Sequence, residues 1–347
     1  MQRIRIIYEY ILAEIMYNRS MAELALSAVK TSHHLRPLDV HRDLLAVADL
    51  IEVCFANTID ADGRAYLRQL RRAGREANLL NWMPAPFEQA PMPLNGLVWE
   101  EEGRLVGNLS LIPFYRMGRR IYLIANVAVH PDFRRRGIAR ALTSEALSQI
   151  QEHHGWEAWL QVRADNITAY NLYLGLGFQT QARRITWQST PEQVEKASLI
   201  SIAESIASLR RSADWLQQYA WLLSNYPPDV AWNLSLAAHN YKPGFWHELA
   251  RFLGGSSTKH WAARRDGKLL GLLTWEPSRT SADNLWLAAQ PETEEAAIRS
   301  LLPRVTDRLS SGRPLSLNYP AWRAESAFFS AGFRPQQTLI WMKVTFT

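Results

Sequence analysis

The stretch His130-Pro131-Asp132-Phe133-Arg134-Arg135-Arg136-Gly137-Ile138-Ala139-Arg140 decides how this chain is read. An apolar run at 122–129 precedes it. A helix-like stretch follows, with Ile138, Leu142, Ala146 and Ile150 at i, i+4 spacing on one face. A strand, a basic glycine turn and a helix together make an anion site. The first N–H groups of the helix lack intrahelical partners, and the helix dipole favours negative charge there. Gly137 is expected to let backbone approach a phosphate where a Cβ would stand in the way. The bland alternative is a solvated arginine-rich turn.

A second stretch weighs against the bland alternative. Residues 161–178 carry Asn166, Ala169, Leu172, Tyr173, Gly177 and Phe178 in the pattern Asn-x-x-Ala-x-x-Leu-Tyr-x-x-x-Gly-Phe. This reads as a strand ending near an Asn, a helix bearing a Tyr, and a Gly-Phe step into the next strand. Together with Arg-x-x-Gly-x-Ala after a Val-x-Val strand, it resembles the two cofactor motifs of the GCN5-related N-acetyltransferase family. The resemblance implies that the anion is the pyrophosphate of acetyl-CoA. It implies that main-chain groups of Val127, Ala128 and Val129, left unpaired by a splayed strand, hold the pantetheine arm. By the same resemblance Arg134, Arg135, Arg136, Gly137, Ile138, Ala139 and Arg140 cradle the pyrophosphate, mainly through backbone N–H. The arginine side chains either reach phosphate or are solvated. Asn166 would hydrogen-bond the arm, and Tyr173 would act as general acid. A phenol, with a pKa of about 10, stays protonated at neutral pH and can donate to a leaving thiolate. The structural alternatives are a helix N-cap for Asn166 and a packed ring for Tyr173.

The run Trp159-Leu160-Gln161-Val162-Arg163-Ala164 is similar to the bacterial ribosomal-protein alanine acetyltransferases. That branch implies a glutamate base at the position of Gln161, and glutamine cannot take a proton. Glu100, Glu101, His130 and Glu157 are the candidates for a base acting through water, with none preferred.

With 347 residues the chain suits two domains. Its 47% hydrophobic and 21% charged content is that of an ordinary globular protein. Cys54 is the only cysteine, so no intrachain disulfide is possible and a reducing cytoplasm is the default. The net charge of +6 favours anionic ligands. The arginines are scattered, and no nucleic-acid module is recognisable. Residues 1–16 faintly imitate a signal peptide, but Glu9 and Glu14 interrupt the apolar run. The segment before Thr31 reads as an extra helix or as an upstream extension with Met21 as the start. No apolar stretch is long enough to span a bilayer. Adjacent histidines at 33–34 and 153–154 lack i, i+4 spacing, so no metal site is expected.

The periodicities predict a strand at 35–40, a helix from Asp39 or His41 through Phe55, and a second helix over 60–81. A Pro-rich connection at 83–93 follows. Strands at 96–100 and 104–113 are joined by Glu101-Glu102-Gly103, and a third strand covers 119–129. Helix 137–151, strand 156–162, helix 166–174 and a closing strand pair over 178–188 complete the half. Residues 260–271 then echo 97–107, and 284–289 echo the strand before the basic turn. Ala331-Gly332-Phe333 echoes Leu176-Gly177-Phe178. An internal duplication is the natural reading. The fold class is α/β: two acetyltransferase-like domains, each a mixed, mostly antiparallel sheet flanked by helices. The expected division is an extension at 1–32, a catalytic domain at 33–190 and a degenerate copy at 191–347, with the boundary near 189–196.

In the second copy Pro291-Glu292-Thr293-Glu294-Glu295 replaces the arginine turn, and Phe328 stands in the register of Tyr173. Carboxylates there satisfy the helix dipole internally and repel a pyrophosphate. The tandem arrangement also looks like the mycothiol synthases, in which the better-kept motif is expected in the C-terminal half, the reverse of this chain. The expected activity is acetyl-CoA-dependent N-acetyl transfer to a primary amine on a small metabolite, an antibiotic-like molecule or a protein N-terminus. The alternative is a non-catalytic acyl-CoA-binding scaffold. Neither nucleic acid nor membrane is expected as a partner, and the oligomeric state stays open.

Overall fold

The computed structural model describes residues 34–77, 95–190, 192–193, 206–234, 236–244, 258–306 and 312–346. The expected N-terminal extension, the Pro-rich connection and half of the predicted domain boundary lie outside the described residues. Two compact units emerge. One runs to Phe114 and includes Arg120–Trp156; the other holds Tyr115–Arg119 and Glu157–Thr347.

The first unit contains β1 (Leu35–Pro37), α1 (Val40–Phe55), α2 (Ala61–Ala77), β2 (Asn95–Glu101), β3 (Arg104–Arg116), β4 (Arg119–Val129) and α3 (Ile138–Glu152). Its strands lie in the order β1-β2-β3-β4. Asp39 starts α1 by accepting from the His41 and Arg42 amides, as an Asp N-cap should. Leu44, Val47, Ala48 and Ile51 of α1 then face Leu67 and Leu70 of α2 and Val98 of β2. Between β2 and β3, Glu102 (φ +52°) and Gly103 (φ +77°) form a two-residue hairpin turn, in which both residues must be left-handed. Helix α3 comes so close to β3 that a Cβ on Gly107 would meet Ile138 Cγ2 at 2.9 Å and Trp99 Cβ at 2.9 Å.

The second unit contains β5 (Glu157–Arg163), α4 (Ile167–Leu174), β6 (Gln179–Ser189), β7 (Ile206–Leu209), α5 (Trp215–Asn225), β8 (Lys259–Arg265) and β9 (Lys268–Glu276). It continues through β10 (Asp283–Ala289), α6 (Glu294–Thr306), β11 (Leu315–Pro320), α7 (Glu325–Ser330) and β12 (Arg334–Thr345). Its strand order is β5-β12-β6-β11-β10-β9-β8-β7. Only β10 and β11 are parallel; the other described pairings in this unit are antiparallel.

Both halves of the chain use the same local devices. Asp266 (φ +51°) and Gly267 (φ +78°) repeat the left-handed pair of the first hairpin. Gly271 repeats the tight helix–strand approach, since a Cβ there would meet Ala297 Cβ at 2.6 Å. The Phe178 amide donates to the Tyr173 carbonyl at 3.1 Å, and the Phe333 amide donates to the Phe328 carbonyl at 2.9 Å. The fold is mixed α/β, with a largely antiparallel sheet flanked by helices and two similar domains.

One expectation needs correction. Residues 178–188 do not form a strand pair. They form the single strand β6, whose neighbours both come from the end of the chain: β12 on one side and β11 on the other. The segment 179–188 has no Gly, Pro, Asn or Asp to turn on, so a local hairpin was never available to it. Trp187 of β6 consequently lies in the second half's core, with Leu273, Leu287, Ile298, Leu317 and Phe333. It stacks on Phe328 with ring centroids 4.7 Å apart.

Candidate active site

The basic turn is built by hydrogen bonds and by two left-handed residues. The His130 amide donates to the Val106 carbonyl at 2.9 Å, which fixes the exit from β4. A single 3-10 turn at Pro131–Phe133 follows. Arg135 then takes φ +63° and Gly137 φ +82°. Nothing in the protein lies within 4 Å of a Cβ built on Gly137, so within the protein it is the left-handed backbone angle that favours glycine there. Gly137 caps α3 without any side-chain bond, and no acid stands in the first helical turn. This leaves the positive end of the helix dipole uncompensated by the protein.

The arginines of the turn separate into distinct environments. The Arg134 Nε donates to the Val129 carbonyl at 3.2 Å. Arg136 donates to the Asp132 carbonyl at 3.2 Å and lies over the Phe133 ring, 4.7 Å from its centroid. Its second contact is Glu101, at 3.6 Å. Arg135 is exposed and has no partner among the described residues. The carbonyl of Val129 also accepts from Cys54 Sγ at 3.2 Å. At Val129, therefore, the expectation of open main-chain groups fails for the carbonyl. Burial pushes the Cys54 thiol up despite the neighbouring Arg134.

Asn166 and Tyr173 share α4, in the other unit. The Asn166 Oδ1 accepts from the Ala169 amide at 3.1 Å, so the N-cap reading holds for that oxygen. The Tyr173 ring is 6% exposed and meets Phe178 edge-on at 5.9 Å. Burial pushes its phenol up to about 12. Its hydroxyl makes no hydrogen bond among the described residues and is not one of the sealed polar atoms. The ring is packed.

Residues 63–178 match the family model described as Acetyltransferase (GNAT) family. This segment resembles that family. The ribosomal protein bS18-alanine N-acetyltransferase of Escherichia coli (strain K12) is 33% identical over 81 residues, covering 23% of this chain and 55% of that protein. The N-alpha-acetyltransferase RimI of Mycobacterium tuberculosis is 34% identical over 100 residues, covering 28% of this chain and 61% of its own. The chain thus spans little more than half the length of these curated relatives. Over nearly its whole length it shares a fold with a GCN5-related N-acetyltransferase from Sphaerobacter thermophilus. That match has a TM-score of 0.55 and 14% identity, over 91% of this chain and 97% of the other.

Among the candidate bases, every one is already engaged. Glu100 accepts from Arg36 Nε at 3.0 Å and from Arg42 Nη2 at 2.7 Å, and these guanidiniums hold its carboxyl below the usual range. Glu101 accepts from Trp99 Nε1 at 3.1 Å. The Nε2 of His130 lies 2.8 Å from Arg104 Nη2. Glu157 is buried, bonded to Trp159 Nε1 at 2.8 Å and to Lys343 Nζ at 3.0 Å. Gln161, half-buried on β5, stands opposite Trp341.

The corresponding groups of the second half are engaged within that half, while the Asn225 Oδ1 is buried without a partner among the described residues. Glu294 opens α6 and accepts from Tyr319 Oη at 2.7 Å and Arg323 Nε at 3.0 Å. Asn225, at the end of α5, donates through Nδ2 to the Leu287 and Ala289 carbonyls at 3.2 and 3.1 Å. The Tyr226 hydroxyl accepts from the Leu287 amide at 3.4 Å. The strand end that corresponds to Val127–Val129 is thus closed by side chains of its own half. Neither Asn225 nor Tyr226 carries a sequence signal for this role. Among the described residues, no cluster of three or more His, Cys, Asp and Glu could hold a metal, and no helix is long and apolar enough to cross a membrane.

Proposed function

We propose that residues 33–190 form an acetyl-CoA-dependent N-acetyltransferase that moves the acetyl group to a primary amine by direct attack on the thioester. The observation that carries this reading is the uncapped start of α3 behind Arg135 and Gly137, both left-handed. Bound acetyl-CoA supplies the activated acetyl group. Backbone N–H groups of Ile138, Ala139 and Arg140 and the unpartnered Arg135 side chain bind its pyrophosphate. The main chain of Val127, Ala128 and Val129 lines the pantetheine arm. The Nδ2 of Asn166 donates to that arm, its Oδ1 being held in the cap. Tyr173, protonated at neutral pH, hands its proton to the departing sulfur.

The named activities of the curated relatives favour a protein N-terminus as acceptor, with small-molecule amines as the other class. The lone Cys54 favours a reducing cytoplasm as the setting. Residues 191–347 act as a silent copy, because Glu294, Asn225 and Tyr226 use up the groups a second acetyl-CoA would need. Calorimetric titration with acetyl-CoA tests this directly. One site per chain is the expected result. Two sites would overturn the silent copy, and none would favour the scaffold reading.

A further inference from the structure

Helix α2 packs on its unit by one side. Leu67 and Leu70 share a core with Leu44, Val47 and Ile51 of α1. At 3.6 residues per turn, Arg64, Arg68, Arg71, Arg72 and Arg75 all fall within about a third of the circumference, on the opposite side. Arg64, Arg68, Arg72 and Arg75 are exposed. The sequence expectation of no nucleic-acid partner rested on the apparent scatter of the arginines. The helix gathers these five into one stripe, and a basic stripe along a helix is the electrostatic footprint of a nucleic-acid binder.

The neighbouring helix neutralises Arg71, whose Nη2 meets Asp49 Oδ1 at 2.7 Å and Glu52 Oε2 at 2.5 Å. Arg64 donates through Nη1 to the Ile59 carbonyl at 3.0 Å, which leaves its charge uncompensated. Arg68 and Arg75 have no partner among the described residues. Like charges at i, i+4 weaken a helix, and Arg64 and Arg68 stand at that spacing. The stripe therefore works against the stability of the helix that carries it.

A line of arginines calls for a line of anions. The guanidinium fork matches phosphate oxygens with paired N–H bonds, and every cation of α2 is an arginine. A lipid surface needs apolar residues beside the charges, and a protein partner needs an aromatic or aliphatic anchor. The large apolar residues of α2 are Tyr66, Leu67 and Leu70, and they pack toward α1 instead. We propose that the exposed face of α2 is a docking surface for the phosphate backbone of duplex RNA. Phosphate contacts need neither an apolar anchor nor a base-reading side chain. With one side packed on α1, α2 cannot sink into the deep major groove of B-form DNA as a free recognition helix does. The wide, shallow minor groove of A-form RNA accepts a half-packed helix between its phosphates. Single strands are disfavoured, because their bases stack on exposed aromatic rings, and the stripe has none. This surface is independent of the acetyltransferase reading.

The test titrates the full-length chain into a fluorescein-labelled RNA duplex of about 20 base pairs, a little longer than shape-reading domains span. Anisotropy is followed at several salt concentrations. Saturable binding is expected, with log K falling linearly in log[salt]. Arg68→Ala and Arg75→Ala should each reduce the salt slope by about 1. Changing Arg64, Arg68 and Arg75 together to Ala should weaken binding by about tenfold or more. Alanine favours the helix, and an unchanged thermal melt shows that the variants fold. Arg68→Lys keeps the charge and loses the fork, so it should weaken binding less than Arg68→Ala. Absent binding at low salt, or binding that the alanine variants leave unchanged, overturns the proposal. Equal affinity for a DNA duplex of the same sequence also overturns it. So does tighter binding to polyglutamate or to phosphatidylserine vesicles, since each names a different occupant.

Discussion

The Tyr173 hydroxyl makes no hydrogen bond among the described residues, so removing that oxygen tests chemistry without breaking a described bond. Tyr173→Phe should cut turnover by about 10²–10⁴-fold, the range for a general acid, and leave the acetyl-CoA Kd within about twofold. Equal turnover in both proteins would remove Tyr173 as the acid. Burial raises the phenol to about 12, so it remains protonated throughout the neutral and mildly alkaline range. A pH–rate profile should therefore show no loss from Tyr173 below about pH 11. The same shift has a stability consequence. The neutral phenol contributes fully below its ordinary value of about 10, and that contribution is lost as pH rises through 12. Gly137→Glu should abolish acetyl-CoA binding, since it sets a side chain at φ +82° and a negative charge at the helix start. Retained binding would mean that the phosphate site lies elsewhere. Tyr173 and Asn166 were legible from register alone.

At the scale of elements, sequence periodicity and structure agree where contacts are local. The bounds of β4 are those of the predicted strand at 119–129, and α1 starts where Asp39 can cap it. Helix α3 depends on one close approach, at Gly107. Gly107→Ala would push a methyl against Ile138 and Trp99, and should cost about 1–3 kcal/mol as overpacking does. Urea unfolding at constant m-value would measure it. A neutral result would show that α3 can lift off its sheet without loss. The misreading of β6 has the opposite cause. Its alternation announced a strand, but strand partners are set by long-range pairing that a sequence window does not contain.

For the whole molecule, strand exchange is the decisive feature. Expressed alone, residues 33–190 would leave β6 without both of its neighbours and expose Trp187. That fragment should fail to fold. Circular dichroism and size-exclusion chromatography read the outcome, and a cooperative melt of the isolated half would refute the dependence. The intact chain should bind a single acetyl-CoA, because the second half closes its own strand end with Asn225 and Tyr226. Oligomeric state enters neither expectation.

The sequence by itself determined the element types, the two motifs, the internal repeat and the register of Tyr173. All of these follow from spacing along the chain and from the chemistry of single residues. Only the tertiary structure decided which strands pair, which arginine of the turn is unpartnered, and which carboxylates are neutralised. It alone decided which buried asparagine oxygens, those of Asn108 and Asn225, stand without donors among the described residues. Each of those depends on groups that are distant in sequence and adjacent in space, and only folding brings them together.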